Sequence, residues 1–185
     1  TRGTYVGLNG QLSSKFLGAD TDFVKHEYHL GVYHPLFWKL IGHVRGEFGF
    51  LHPLDGIENV PIYERFYLGG INSLRGWKFG QVGPREVASN GEFVVIGGEK
   101  YAVANFEVLF PIMEKYGIRG VVFFDAGNAY TQSESFDLSK IRTDVGTGVR
   151  WNSPFGPLRV EIGYNLDRQE GDDPYQWQFS AGAFF

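Results

Sequence analysis

The strictest constraint on this chain is an alternation of apolar and polar residues that recurs along its length. In residues 156–167, Leu158, Val160, Ile162, Tyr164 and Leu166 take every second position, with Arg159, Glu161, Gly163, Asn165 and Asp167 between them. Successive side chains of a β-strand point to opposite faces, so such a segment has one apolar and one polar face. Residues 141–151 repeat the scheme. Ile141, Thr143, Val145, Thr147, Val149 and Trp151 alternate there with Arg142, Asp144, Gly146, Gly148 and Arg150. Between the two segments, Asn152-Ser153-Pro154-Phe155-Gly156-Pro157 supplies turn-forming residues.

Six further stretches read as strands, at residues 2–13, 23–34, 37–51, 99–110, 117–130 and 174–185, and a helical period is absent. Tight turns are expected at Pro35 and over 111–116. Gly18-Ala19-Asp20-Thr21 turns the first connection, and a polar connection at 169–173 precedes the last strand. The longest connections fall at 52–98 and 131–139, so short and long connections tend to alternate.

Two architectures accommodate such strands. A soluble sandwich or barrel buries the aliphatic face; a transmembrane barrel turns it outward to lipid and keeps the polar face inside. The stretches exceed the ~5–6 residues common in soluble sheets and cover the ~9–11 that a tilted membrane-spanning strand needs. Tyr33, Trp38, Tyr130, Trp151, Tyr175 and Trp177 lie near strand ends, where an aromatic girdle belongs. Length, connection asymmetry and girdle favour the membrane. The expected fold is an all-β, antiparallel transmembrane β-barrel of eight strands, an up-and-down meander forming a single domain over 1–185, with one long loop between its third and fourth strands.

Composition narrows the function classes. With no Cys, a disulfide scaffold and a thiolate metal site are excluded, and a net charge of −4 gives no reason to expect nucleic-acid binding. No apolar run approaches the ~20 residues of a membrane-spanning helix, and no basic-then-apolar leader opens the chain. Thr1-Arg2-Gly3-Thr4-Tyr5 already reads as strand, so the chain is expected to begin inside a structure.

The connection at roughly 52–97 far exceeds the ~12–15 residues beyond which loops are functional or disordered. Its Tyr63, Phe66, Tyr67, Leu68, Ile71, Leu74, Trp77 and Phe79 are too apolar for a solvated linker. It is expected to dock, carrying Arg75 in its middle.

At this point the chain resembles a known family. Tyr67-Leu68-Gly69-Gly70-Ile71-Asn72-Ser73-Leu74-Arg75-Gly76-Trp77, followed by Gly83-Pro84-Arg85, is similar to the Arg-Gly-aromatic loop signature of BamA-type outer-membrane assembly factors, of the POTRA-barrel superfamily. Three more segments agree in order. They are Gly97-Gly98-Glu99-Lys100-Tyr101 through Phe106-Glu107, then Phe124-Asp125-Ala126-Gly127-Asn128, then Ser153-Pro154-Phe155-Gly156-Pro157-Leu158-Arg159. The resemblance implies the C-terminal half of a 16-stranded barrel, a fragment without POTRA domains. It places the chain in the bacterial outer membrane or the equivalent organelle membrane. It also implies a role in folding and inserting other barrel proteins, by strand templating and membrane perturbation, with the isolated fragment inactive or structural. The partners implied for the full-length protein are outer-membrane lipid, other subunits of the assembly machine and unfolded outer-membrane proteins. A secretion-type translocation pore of the same superfamily and a stand-alone structural barrel are the alternatives.

The resemblance makes Arg75, Gly76 and Trp77 the loop motif. It implies that Arg75 enters the lumen to pair with Glu107 and Asp125. Independently, parity puts both acids on the polar faces, beside Tyr101, Val103 and Asn105 on one strand and Arg119, Val121 and Phe123 on the next. A guanidinium bonds carboxylates in a bidentate fork. A closed barrel of ~8 strands is largely filled by its own side chains, which leaves little room for such a loop. Along the last strand, Tyr175, Trp177, Phe179, Ala181, Ala183 and Phe185 share a face. Its terminal aromatics, Phe179 and Phe185, resemble an assembly signal of outer-membrane proteins. No enzyme is expected, because no Ser-His arrangement is evident and the lumen acids sit beside arginines. No cofactor or metal is expected either. His26 and His29 point to opposite faces, and His29 with His43 makes only two inward imidazoles without a third ligand.

Overall fold

The computed structural model describes residues 2–54, 61–89, 91–169 and 171–182. Its strands are β1 (Gly3–Ser13), β2 (Phe23–Pro35), β3 (Ile41–Pro53), β4 (Arg85–Val87), β5 (Phe93–Val95), β6 (Lys100–Met113), β7 (Ile118–Tyr130), β8 (Arg142–Ser153), β9 (Gly156–Asn165) and β10 (Tyr175–Ala181). Eight of them form one sheet in the order β1-β2-β3-β6-β7-β8-β9-β10, every neighbouring pair antiparallel. This is the expected meander. β4 and β5 pair only with each other, inside the long connection between β3 and β6. β1 and β10 are the two edges of the sheet and do not pair with each other among the described residues.

The two faces of the sheet decide its solvent. Val44, Phe48, Phe106, Val122, Phe124, Val160, Trp177 and Phe179 are exposed on the outer face. His43, Glu47, Asn105, Glu107, Asp125, Asp144 and Glu161 are buried on the inner one. Water rewards the opposite arrangement, and an apolar surface of this extent in water would drive aggregation. In lipid it is the arrangement of a barrel wall, apolar outward and polar inward. The turns between β2 and β3, β6 and β7, and β8 and β9 lie at one end of the wall. The long connections lie at the other.

Two strand limits depart most from expectation. The third strand starts at Ile41, not at 37. Residues 36–40 form a tight turn in which Leu36 N–H donates to Leu40 O at 2.8 Å and Leu40 N–H to Phe37 O at 3.1 Å. Trp38 and Lys39 occupy the left-handed region there, at φ 51° and 64°, which bulky residues rarely adopt and which ends the strand. The fourth strand of the sheet, β6, continues past Phe110 to Met113. It tolerates Pro111 because the register shifts between Pro111 and Met113. β10 is described to Ala181, and Ala183 and Phe185 lie outside the described residues.

The apolar core lies on the inner side, between loop and wall. Phe66, Leu68, Leu74, Trp77 and Val82 from the long connection pack with Phe23, Leu51, Tyr101, Val103 and Ala129 from the strands. Each large side chain so buried contributes about 1.5–3 kcal/mol. The connection is fastened by two bridges, Phe66 to Gly98 and Leu68 to Val82. Among the described residues the loop tip occupies the inner side, bonded to β6, β7 and β9, so the wall's own side chains do not exclude it as expected.

Candidate functional site

The loop motif is built on a backbone knot. Gly69 and Gly70, at φ 109° and 92°, reverse the chain. Gly70 N–H donates to both Leu74 O (3.1 Å) and Trp77 O (2.9 Å), and Ser73 N–H donates to Gly70 O (3.1 Å). Residues 74–77 are thereby presented as a rigid tip.

Arg75 occupies the centre of the lumen side and is 2% exposed, with Asp125 and Glu161 fully buried. Its Nε donates to Asp125 Oδ2 at 2.8 Å and its Nη2 to Asp125 Oδ1 at 2.6 Å, a fork on one carboxylate. Its Nη1 reaches Glu107 Oε1 at 2.6 Å and Glu161 Oε2 at 2.8 Å. The guanidinium carbon lies 3.5 Å from the Phe123 ring centroid, stacked on the ring face. Two more arginines complete the group. Arg150 donates to Glu107 through Nη1 (3.0 Å) and Nη2 (2.6 Å), and to Glu161 through Nε (2.7 Å). Arg159 donates to Glu161 through Nε (3.1 Å) and Nη2 (3.0 Å). His43 Nδ1 lies 2.9 Å from Glu107 Oε2. Three guanidinium charges thus face the carboxylates of Glu107, Asp125 and Glu161, the mutual compensation that buried ions require.

The wall also seats the loop's backbone. Gly76 N–H donates to Asp144 Oδ2 at 3.0 Å. Asn105 Nδ2 donates to Ser73 O (2.7 Å) and to Asp125 Oδ1 (2.8 Å). Gln178 Nε2 on β10 donates to Arg75 O (3.1 Å) and Trp77 O (2.9 Å). The approach is close enough to demand glycine on both sides. A Cβ on Gly163 of β9 would lie 2.6 Å from Arg75 C and Gly76 N, and one on Gly76 would lie 1.9 Å from Asn165 Oδ1.

Trp77 closes the upper side. Its indole N–H donates to Asp172 Oδ2 at 3.2 Å, and its ring lies 5.0 Å from the Arg142 guanidinium carbon. Asp172 also accepts from Arg85 Nη2 (2.7 Å), from the Gln169 backbone N–H (3.0 Å) and from Arg142. Burial pushes the Asp172 carboxyl up, but the bonds from Arg85, Gln169 and Trp77, with the Arg142 charge, hold it below the ordinary carboxylate range.

The structure therefore brings Arg75, Gly76, Trp77, Glu107 and Asp125 together. Phe179 is elsewhere, exposed on the outer face, and Phe185 is outside the described residues. His29 pairs with Glu47 (3.0 Å) and His43 with Glu107 (2.9 Å). Among the described residues no group of three or more His, Asp or Glu could hold a metal ion. Sequence reasoning missed Glu161, Arg150 and Arg159 as partners of the cluster. Parity places all three on polar faces, yet only wall curvature brings β8 and β9 within reach of a loop following β3. Asp144, Gln178 and Asp172 were likewise missed. Asp172 lies in a polar connection with no pattern to single it out.

A one-sheet wall with aliphatic side chains facing out, ionised side chains facing in and an arginine loop folded against its lumen is a segment of a transmembrane β-barrel. The chain belongs to the Omp85 superfamily, whose domain model matches residues 1–185. It is similar to the outer membrane protein assembly factor BamA of Nitratidesulfovibrio vulgaris, 35% identical over 190 residues that cover 100% of this chain and 23% of that protein. It is also similar to the BamA of Neisseria meningitidis, 26% identical over 213 residues that cover 100% of this chain and 26% of that protein. The crystal structure of BamA from Haemophilus ducreyi lacking POTRA domains 1–3 superposes with a TM-score of 0.81 at 25% identity, covering 96% of this chain and 38% of that one. The chain spans about a quarter of the length of these two curated relatives. Its place is an outer membrane.

Proposed function

We propose that this chain is the C-terminal half of the barrel of an outer-membrane protein assembly factor and that its docked loop holds that half in its working shape. The supporting observation is Arg75, whose guanidinium ties β6, β7 and β9 to one loop tip through Asp125, Glu107 and Glu161. The names of the relatives, as assembly factors, support the same reading. The chemistry is non-covalent. The carboxylates of Glu107, Asp125 and Glu161 accept from guanidinium forks and other N–H donors, which suits shape-keeping. In the whole protein the work is strand templating and local perturbation of the bilayer. Its partners are outer-membrane lipid, unfolded outer-membrane proteins and the other subunits of the assembly machine.

The test uses the full-length protein carrying this segment, reconstituted in liposomes with a urea-unfolded outer-membrane protein. Faster appearance of the heat-modifiable, folded form than in empty liposomes is the expected result. Equal rates in both would overturn the proposal.

A further inference from the structure

Across the wall beneath the loop tip runs a row of four polar side chains from four strands. Asn105 on β6 is the direct register partner of Asp125 on β7, Asp125 of Asp144 on β8, and Asp144 of Asn165 on β9. All four are buried, and the two aspartates completely. Direct partners on an antiparallel ladder have Cβ atoms ~4.5–5.5 Å apart, so the carboxyl groups of Asp125 and Asp144 face each other at the centre of the row.

Asp125 is fully supplied with donors. Its Oδ1 accepts from Arg75 Nη2 and Asn105 Nδ2, and its Oδ2 accepts from Arg75 Nε and the Arg75 backbone N–H. Asp144 is not. Its Oδ2 accepts from Gly76 N–H at 3.0 Å, while its Oδ1 finds no donor among the described residues. Asn165 repeats the shortage: its Nδ2 donates to Asp173 O at 2.8 Å, and its Oδ1 is buried without a donor among the same residues. Two neighbouring strands thus each bury an acceptor with no hydrogen to share.

The charges show the same deficit. Arg75, Arg150 and Arg159 balance Glu107, Asp125 and Glu161, which leaves Asp144 as a fourth acid. From β7 it faces the Asp125 carboxylate, and from β9 the uncharged Asn165. From the loop it meets Gly76 N–H and the Arg75 charge, which Asp125 already matches. On β8 itself Arg142 shares the face but is bonded to Asp172 and lies 3.4 Å from Asp167 Oδ1. Burying a lone carboxylate is far costlier than burying the neutral acid, so such a group takes up a proton instead.

We infer that Asp144 is a proton-binding site, a neutral carboxylic acid whenever the loop is docked, whose O–H supplies the donor that the row lacks. One proton removes both the missing hydrogen and the surplus negative charge. The acid still accepts from Gly76 N–H, so Asp144 is a positioning residue for the loop tip. This role rests on the loop-holding function proposed above. It also links docking to pH. Without the loop, Asp144 still faces Asp125, and two carboxyl groups sharing a site hold one proton between them. Docked and undocked forms therefore bind it alike in acid and neutral solution. In alkali the undocked acid, open to water, gives it up first. The docked form then binds more protons, and docking weakens as pH rises.

The experiment uses the full-length protein in lipid vesicles. The infrared difference spectrum between the wild type and Asp144→Asn at neutral pH is expected to contain the carbonyl stretch of one neutral carboxylic acid, shifting in heavy water. In the wild type that band should fade on raising the pH over the range in which the loop becomes open to protease. Asp144→Asn keeps an acceptor for Gly76 and brings its own donor hydrogens. Its loop should dock at neutral pH as in the wild type and stay protected further into alkali. Absence of the band, an undocked loop in Asp144→Asn at neutral pH, or opening of both proteins over the same alkaline range overturns the site. Neither readout involves insertion of another protein, so failure of the assembly proposal and failure of this one are told apart.

Discussion

Arg75 and Asp125 meet through three hydrogen bonds, two from the guanidinium and one from the Arg75 backbone N–H at 3.2 Å. The same carboxylate thus fixes both the direction of the side chain and the height of the loop above β7. Replacing Arg75 with Ala leaves Asp125, Glu107 and Glu161 buried with one cation fewer. Breaking a buried ion pair from one side typically costs about 3–5 kcal/mol. Arg75→Ala is expected to lower the temperature at which the barrel loses heat-modifiability on a gel and to open the loop to protease. An unchanged midpoint with unchanged proteolysis would show that the cluster does not hold the loop.

Gly163 separates loop docking from wall formation. Its backbone is ordinary strand, and the three atoms nearest the added Cβ of Gly163→Ala are all loop backbone: Arg75 C, Gly76 N and Arg75 O. The variant is expected to keep its strand content by circular dichroism while its loop becomes protease-sensitive. Loss of strand signal, or a loop as resistant as the wild type, would contradict the close seating.

Asp172 sets the pH range of the roof. Its folded carboxyl is held below the ordinary range, near ~3.9 for a free aspartate. A depressed carboxylate contributes stability that is fully present above the unfolded value and is lost as pH falls through the folded one. Protection of the Trp77 region should therefore be flat from neutral pH down to about pH 4 and should decline below it. In Asp172→Asn the acid-dependent step should vanish. A step in the wild type centred near pH 6 would assign it to another group.

Phe124 tests which side faces lipid. It is exposed on the outer face at the middle of β7. An arginine on the lipid face near the midplane costs about 2–4 kcal/mol. Urea titration in lipid vesicles should show Phe124→Arg destabilised by about that amount. A change within about 0.5 kcal/mol, as at an ordinary soluble surface, would reject the membrane assignment.

Phe185 tests the C-terminal assembly signal that the family resemblance implies. Its deletion should impair assembly in cells far more than refolding into detergent, since a lipid-facing side chain alone would affect both alike. Equal impairment would remove the signalling role.

How much was legible beforehand follows from what each feature depends on. The meander, its two faces and the inward position of Glu107 and Asp125 follow from period-two parity, which is local. The turn after Pro35 was expected, but its extent through residue 40 was not legible, because Trp38 and Lys39 are among the last residues expected at positive φ. The β4–β5 hairpin was missed because two three-residue strands carry no usable period. Glu161 and Arg150 lay on recognised polar faces. Their meeting with Arg75 depends on the curvature of the sheet, which no single strand encodes. Asp172 had neither parity nor motif to mark it.

The strand order has a consequence for how the molecule comes to be. Apart from β3 and β6, which are joined by the long connection, neighbouring wall strands follow one another closely in the chain, so their pairing closes short stretches, the fast steps of folding. The loop is different. Arg75 waits for Glu161, 86 residues later, and for Gln178, 103 residues later. Only a wall that has grown through β10 offers every partner. A wall ending before β9 would lack the Glu161 acceptor of the guanidinium, and one ending before β10 would lack the Gln178 donor to the backbone oxygens of the loop tip.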